Sequence, residues 1–325
     1  MRRLFGLVVL CVLGVPLAGT AASPTSNDPC GQGGRALWVD RTHDWLSRGL
    51  CWPSRWVDGF FADPLSTNNE PAASLVRITG ERTWRDDDLD DRDLDVDARV
   101  WLPSAERRLS LLFRSKDDDA EADGPRTSDI ADTGEDDGGF RGALRWVINR
   151  TDAMDLDLDT GVRSDLTTFT RLRYRSVHPL FNEWAWLRFT ERVEWRDPKG
   201  WRSRSLFEID RPLSDIASVR LASQIEYSEE LNEDGRGLGW FQAVNLFLRE
   251  RDKAAWNLGV GAAGFTKPEA RVDSYRCYVR YRRQVWRPWL FVELEPFVLW
   301  PRDQGYQGVN GITLRLETLF GRLDG

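Results

Sequence analysis

Strict alternation of apolar and charged residues is the feature that most limits what this chain can fold into. Residues 93 to 102 read DLDVDARVWL, so every even position is apolar and nearly every odd one is charged. Successive side chains of a β-strand point to opposite faces, whereas a helix would not sort these residues. The segment therefore predicts a strand with one apolar face and one charged face.

The same alternation recurs as far as the C-terminus. Roughly 14 such segments of about 10 to 12 residues lie between residues 73 and 321, separated by turn sequences such as 103–106, 197–200 and 211–214. An even number of antiparallel strands leaves both ends of a barrel on one side. The sequence predicts an all-β fold, an up-and-down antiparallel barrel of about 14 strands within a range of 12 to 16.

Segment length and aromatic placement favour a membrane-spanning barrel with its apolar face outward. Strands of this length match a tilted bilayer crossing better than the shorter strands of soluble proteins. Aromatic side chains near the strand ends mostly share the apolar face, as a girdle at two lipid interfaces would: Trp84, Trp195, Trp201, Trp240, Trp256, Trp300 and Phe320. The alternative is a soluble periplasmic β-protein with the same faces turned inside out.

The N-terminus has the composition of a secretory signal peptide, assigned to residues 1–22. Two arginines precede an apolar run over residues 4–17, and small residues follow over 18–22. A retained membrane anchor is the alternative, although the run is shorter than the roughly 20 residues that a spanning helix needs. We therefore expect residues 23–72 to form a periplasmic, helical or irregular pre-barrel segment and residues 73–321 to form the barrel.

Export places the remaining cysteines in an oxidising compartment. Cys30 and Cys51 both lie in the pre-barrel segment and are the candidate disulfide, while Cys277 falls on an apolar strand face. The chain carries a formal charge of -7, which argues against a nucleic-acid partner. Forty-one of its 45 basic residues are arginine, whose guanidinium suits fixed pairing with carboxylates.

Two stretches resemble a known family. The sequences RRQ at 282–284, RPWLFVELEP at 287–296, WP at 300–301 and LRLE at 314–317, together with WVDGFF at 56–61, are similar to an uncharacterised family of outer-membrane β-barrel proteins of Gram-negative bacteria. The resemblance implies a barrel fold and a location in the cell outer membrane. It implies no reaction.

If the apolar face contacts lipid, the opposite face lines the lumen with ionised side chains of both signs. The predicted lumen-lining residues are Asp93, Asp95, Asp97, Arg108, Arg114, Arg141, Arg145, Asp155, Asp157, Asp159, Arg171, Arg173, Arg175, Arg280, Arg282, Glu293, Glu295 and Arg315. One interpretation is a charged constriction that selects solutes. The other is cross-strand ion pairing that stiffens the wall, and the change of sign between adjacent strands favours it.

Two neighbouring strands break the charged pattern and predict a neutral inner wall. Their inward positions are Gly239, Phe241, Ala243 and Phe247 on one strand and Ala255, Gly259, Gly261 and Ala263 on the next. Residues 23–72, which contain aromatic residues at helical spacing, are the candidate to cover this wall as a plug or cap. The alternative is a helix lying flat on the periplasmic membrane surface.

Enzyme motifs are sparse. The only histidines are His43, in the pre-barrel segment, and His178, expected in an inner turn over 176–183, so neither is placed as a general base. The acidic segment 116–138 only partly imitates a calcium loop, because Ile130 replaces the expected bidentate Glu. A mobile surface loop that exchanges divalent ions near lipopolysaccharide is favoured there.

We therefore predict a non-enzymatic outer-membrane barrel without catalytic, cofactor or metal residues, acting as a passive channel for small polar or charged solutes. Its expected partners are outer-membrane lipid, lipopolysaccharide and the barrel-assembly machinery. The alternatives are a plugged structural barrel that binds a periplasmic partner and, less favoured, a lipid hydrolase. Neither the solute nor the oligomeric state follows from the sequence.

Overall fold

The computed structural model contains a closed barrel of 14 antiparallel strands. It describes residues 75–87, 89–101, 108–115, 139–151, 153–181, 184–251, 253–287 and 289–321. The predicted signal peptide, the pre-barrel segment with Cys30 and Cys51, the turn at 103–106 and the acidic segment 116–138 lie outside these ranges. The predicted fold class and strand number are confirmed.

The strands follow one another in chain order around the barrel. The first seven are β1 (Leu75–Arg85), β2 (Asp91–Trp101), β3 (Leu109–Arg114), β4 (Arg141–Arg150), β5 (Met154–Arg163), β6 (Thr168–Leu180) and β7 (Ala185–Arg196). The others are β8 (Gly200–Ser214), β9 (Ala217–Ser228), β10 (Gly239–Arg251), β11 (Ala254–Phe265), β12 (Arg271–Gln284), β13 (Leu290–Pro301) and β14 (Val309–Gly321). One short helix, α1 (Glu229–Glu233), links β9 to β10, and the Ser228 side chain accepts a hydrogen bond from the Leu231 backbone N–H at its start.

The barrel closes where the first strand meets the last. β1 pairs with β14 along its whole length, from Leu75 opposite Gly321 to Arg85 opposite Gly311. Both ends of the barrel sequence therefore lie at one rim, called here the terminal end, and the β1–β2 and β13–β14 connections lie at the far end. There the Gln304 side chain donates a hydrogen bond to Asp87 across 3.3 Å, joining these two connections.

The prediction of a turn over 176–183 is wrong at its start. β6 continues to Leu180, and His178 and Pro179 pair with Leu187 and Trp186 of β7. The last pair between β5 and β6 joins Met154 to Ser176. The Val177 N–H still donates to the Ala153 carbonyl at 3.0 Å, and after it β6 pairs with β7 alone among the described residues. Such an edge position tolerates proline.

Candidate functional site: the inner wall of the barrel

The structure sorts charged and apolar side chains to opposite faces of the barrel. On β14, Thr313, Arg315 and Glu317 are buried inside, whereas Leu314 and Leu316 are exposed on the outside. Outward apolar side chains on other strands are exposed as well, among them Leu94, Trp146 and Ile225 at 48–66%. The fold is thus the reverse of a soluble protein, with ionised groups inside and hydrocarbon outside.

Most of the predicted lumen-lining residues lie on the inner wall. The buried ones are Asp97, Arg114, Arg141, Arg145, Asp157, Asp159, Arg171, Arg173, Arg280, Arg282, Glu293, Glu295 and Arg315. Asp93, Asp95, Asp155 and Arg175 are half-buried. Arg108 differs from the prediction, because β3 begins only at Leu109 and the arginine is left exposed at the terminal end.

Ion pairs connect the inner wall from β12 through β14 to β1. Glu295, which is fully buried, accepts hydrogen bonds from Arg276 at 2.7 Å, Arg280 at 2.5 Å and Arg315 at 3.0 Å. Arg315 also bonds Glu293 at 2.7 Å and pairs with Glu81 of β1. One carboxylate thus accepts hydrogen bonds from three guanidinium groups. Removing its negative charge would leave these three positive charges close together.

A second ladder runs from β4 to β7 with alternating sign. Arg145, Asp159, Arg171 and Glu194 occupy successive, directly paired positions on the four strands. Arg145 binds Asp159 through two hydrogen bonds of 2.7 Å each, and Arg171 donates to Glu194 across 2.5 Å. The cross-strand pairing expected from the change of sign between strands is therefore present in the structure.

Several inward charged residues were missed by the sequence interpretation. They include Arg77, Arg188, Arg192, Glu194, Arg202, Arg204, Glu208, Asp210, Arg220, Glu226 and Glu317. On β9, buried Arg220 donates to Asp210 of β8 at 2.5 Å and lies 3.2 Å from Glu208. Alternation along each strand already places these residues on the inward face, so the sequence could have predicted them. β8 carries both arginines and carboxylates, however, and therefore does not stand out as an acidic or a basic strand.

A neutral sector interrupts the charged wall on β10 and β11, where the sequence predicts it. Phe241, Ala243, Phe247, Ala255 and Ala263 are buried there. The sector extends to Tyr278 of β12, whose hydroxyl donates to Asn245 Oδ1 at 2.6 Å and accepts from Asn257 Nδ2 at 3.3 Å. This part of the wall therefore presents aromatic rings and amides rather than ions.

The absence of a side chain at Gly259 leaves room for the Tyr278 ring on this wall. Gly259 and Tyr278 are directly paired, and a Cβ atom at position 259 would lie 2.3 Å from the ring. Replacing Gly259 by valine is therefore expected to displace the ring from its amide partners and to lower the free energy of unfolding by about 1–3 kcal/mol. Urea-induced unfolding in lipid vesicles, followed by tryptophan fluorescence, measures this loss.

Gly80→Val is the matched control, since no atom lies within 4 Å of a Cβ at that outward position. Valine suits a strand better than glycine does, so this variant should unfold at the same or a higher urea concentration. Equal effects of the two substitutions would contradict the role given to the Gly259–Tyr278 contact.

The outer face carries two bands of aromatic residues. Trp195, Trp201 and Trp300 lie near the far end, while Trp289 and Phe320 stack at the terminal end with ring centroids 6.3 Å apart. A rise of about 3.3 Å per residue and a tilt of about 40° separate Trp289 from Trp300 by roughly 28 Å along the barrel axis, close to the apolar band of a membrane barrel.

A carboxylate, that of Glu191 near the middle of β7, also lies on the outer face. It accepts hydrogen bonds from the hydroxyls of Ser203 at 2.7 Å and Ser205 at 2.5 Å, both on β8. The rings of Phe189 and Phe207 lie beside it, 4.8 Å apart between centroids. Hydroxyl groups of the next strand thus satisfy a carboxylate that points away from the bore.

Two findings concern only the part of the chain that the structure describes. No helix in it is long and apolar enough to span a membrane. In the same residues, no group of three or more His, Cys, Asp or Glu side chains is arranged to hold a metal ion.

Comparisons with solved structures find barrels of outer-membrane proteins. OmpT of Vibrio cholerae with loop L8 deleted has a TM-score of 0.45 and 12% identity, over 77% of this chain and 100% of that one. The outer membrane channel DcaP of Acinetobacter baumannii has a TM-score of 0.45 and 9% identity, over 76% and 96%. The KdgM porin in complex with disordered oligogalacturonate has a TM-score of 0.38 and 9% identity, over 74% and 98%. At these identities the likeness concerns the barrel fold alone.

No protein-family model matches the sequence, and no curated protein matches it either.

Proposed function

We propose that this protein is a Gram-negative outer-membrane β-barrel that acts as a passive, non-enzymatic channel for small polar or charged solutes. The observation that carries the proposal is the placement of apolar side chains outside and ionised ones inside a closed barrel. Leu94, Trp146, Val162, Ile225 and Leu316 are each 48–66% exposed. Soluble monomers rarely expose contiguous apolar surface beyond a few hundred Å², whereas lipid would cover it.

The inner wall supports a solute path along the barrel axis. The ion pairs seen within the described strands join residues of one strand, of adjacent strands or of next-neighbour strands, as Arg77 joins Asp97 at 2.6 Å and Arg282 joins Glu317 at 2.5 Å. The network therefore runs around the wall. Rings of ionised side chains of this kind select solutes by charge in pores.

A planar lipid bilayer tests the channel directly. Purified protein is expected to give steady ionic current in potassium chloride, and the path can be located with cysteines at adjacent positions of β9. Buried Gln224 shares the inward parity of Arg220, whereas Ser223 points outward, so Q224C and S223C form a matched pair. Both are made with Cys30, Cys51 and Cys277 replaced by serine.

A cationic methanethiosulfonate reagent should lower the current of Q224C and leave that of S223C unchanged. If neither the purified protein nor a form without residues 23–72 gives ionic current, the channel function is contradicted. Ester release from added lipid would favour the hydrolase instead.

A plugged structural barrel is the second candidate, and the low exposure of the inner wall favours it. Arg220, Asn245, Asn257 and Glu295 are all 0% exposed. We propose residues 23–72 as the plug, against the aromatic surface of the neutral sector. Larger current after deletion of residues 23–72 would support the plug, and unchanged current would argue against it.

In either case we propose that outer-membrane lipid and lipopolysaccharide surround the barrel and that the barrel-assembly machinery inserts it.

A further inference from the structure

Two arginines meet on the outer face of the barrel, where most large side chains are apolar. Arg82 of β1 and Arg92 of β2 occupy directly paired positions. Residues of the opposite parity on the same strands, Arg77, Thr79 and Asp97, are buried inside, so the two arginines point outward. We call Arg82 and Arg92 the outer arginine pair.

Neither guanidinium group of this pair has a carboxylate partner among the described residues. Asp91 accepts a hydrogen bond from the backbone N–H of Arg92 at 2.7 Å, not from its side chain. The Nε–H of Arg82 is enclosed and has no acceptor in the same part of the chain. Arg85, by contrast, binds Asp87 through two hydrogen bonds of 3.0 and 2.6 Å. Because like charges directly opposite each other are unfavourable, the pair favours an anion from outside the chain.

The outer arginine pair lies in the part of the outer face that is nearest the far end. Arg92 is the second residue of β2, and Arg82 is the fourth residue from the end of β1. Trp84 is the next outward residue of β1, and its ring centre lies 4.8 Å from the guanidinium carbon of Arg82. Tryptophan is enriched where hydrocarbon meets lipid head groups, and arginine side chains extend toward that level. The pair is therefore placed to reach lipid head groups.

Apolar side chains border the pair on the side of the bilayer centre. Leu314 is directly paired with Arg82 and is 41% exposed. Leu94 and Leu316, one outward position nearer the terminal end, are 66% and 49% exposed. A charged group at the pair and a hydrocarbon chain over these leucines would together have the layout of a membrane lipid.

Other outward arginines lack this arrangement. Arg211 and Arg283 lie near the terminal end of β8 and β12. Each is opposite an apolar residue, Arg211 opposite Val219 and Arg283 opposite Val292. Two guanidinium groups side by side thus distinguish the far-end position from these single arginines.

We propose that the outer arginine pair binds a membrane lipid with a phosphate monoester head group, the class to which the lipid anchor of lipopolysaccharide belongs. This inference rests on the proposed membrane location and deepens the proposed contact with outer-membrane lipid. Directly paired residues have Cβ atoms about 4.5–5.5 Å apart, so both guanidinium groups can hold one phosphate. A phosphate monoester carries close to two negative charges at neutral pH and accepts the forked hydrogen bonds of arginine, so it balances the charge of the pair.

Three probes separate the parts of such a lipid. Dioleoyl phosphatidate has acyl chains and a phosphate monoester, dioleoylglycerol has the chains alone, and inorganic phosphate has the head group alone. Microscale thermophoresis of the full chain in a neutral detergent at constant ionic strength measures their binding. Dioleoyl phosphatidate should bind about tenfold or more tightly than either of the other two.

Arg92→Gln should weaken phosphatidate binding about tenfold, because the phosphate loses charge-assisted hydrogen bonds. Arg92→Lys keeps the charge and should bind more tightly than Arg92→Gln. Arg283→Gln removes the same charge from the outer face near the terminal end and should leave binding unchanged.

The melting temperature without added lipid separates loss of the site from loss of the fold. Arg92→Gln relieves the repulsion between the two arginines, so it should melt at the same temperature as the wild type or higher. Added phosphatidate should raise the melting temperature of the wild type more than that of Arg92→Gln.

Several results would overturn the proposal. They are equal binding of phosphatidate and dioleoylglycerol, inorganic phosphate binding as tight as that of phosphatidate, and phosphatidate binding that Arg92→Gln does not weaken. A lower melting temperature of Arg92→Gln without lipid would also contradict it, because the arginine would then stabilise the fold by itself.

The channel and the lipid site fail in different ways. Absence of current together with phosphatidate binding that Arg92→Gln weakens would refute the channel and support the lipid site. Steady current together with phosphatidate binding that Arg92→Gln leaves unchanged would support the channel and refute the lipid site.

Discussion

Replacing Glu295 by glutamine is expected to lower the free energy of unfolding by about 3–5 kcal/mol, the usual cost of removing one partner from a buried ion pair. Arg276, Arg280 and Arg315 all donate to this fully buried carboxylate. Glutamine keeps the volume but removes the negative charge, so three guanidinium groups would remain close together. Urea-induced unfolding in lipid vesicles measures the loss.

Glu269→Gln provides the control for this variant. Glu269 is exposed in the connection between β11 and β12, so the same chemical change should alter the free energy of unfolding by less than about 0.5 kcal/mol. If Glu295→Gln lowers the free energy of unfolding by less than about 0.5 kcal/mol as well, water reaches the inner wall and screens its charges.

The second large effect is expected on the outer face. Leu294 lies near the middle of β13, is 41% exposed and pairs with Tyr281 and Leu314, two other outward residues. Arginine at a lipid-facing position near the bilayer midplane destabilises a membrane barrel by about 2–4 kcal/mol. Leu294→Arg should therefore lower the free energy of unfolding in lipid vesicles by that amount.

Gln307→Arg introduces the same side chain into an exposed connection at the far end and should fold as the wild type does. If Leu294→Arg is as stable as Gln307→Arg, the outer face does not contact hydrocarbon. A wild-type chain that stays folded and monodisperse in water without detergent would lead to the same conclusion.

The sequence predicts the strands and their faces well because a two-residue period is a local property. On β2, Asp97 and Arg99 face inward and Val96 and Val100 face outward, as alternation alone requires. Strand number follows from counting such segments. The end of β6 was mispredicted because proline normally stops a strand, and only the position of β5 shows that Pro179 lies where no neighbour needs its N–H.

The candidate site is only partly predictable because the partner of each charge depends on register. A bulge between Val147 and Asn149 shifts the pairing of β4 with β5, so that Arg150 meets Asp155 while Arg145 meets Asp159. Nothing in the composition of these strands indicates that shift. The direct pairing of Arg114 with Arg141 and of Arg141 with Arg163 likewise appears only once β3, β4 and β5 are aligned, and more than twenty residues of sequence separate β3 from β4.

The pairing of Glu191 with two serines of the next strand bears on the order of events during insertion. An ionised carboxylate is costly in the hydrocarbon of a bilayer, and here both of its oxygens are held by hydroxyls of β8. Those bonds exist only when β7 and β8 are already aligned. We therefore expect β7 and β8 to pair while their outer surface is still hydrated. The Glu191 carboxylate would then already have its hydrogen bonds when this surface enters the lipid.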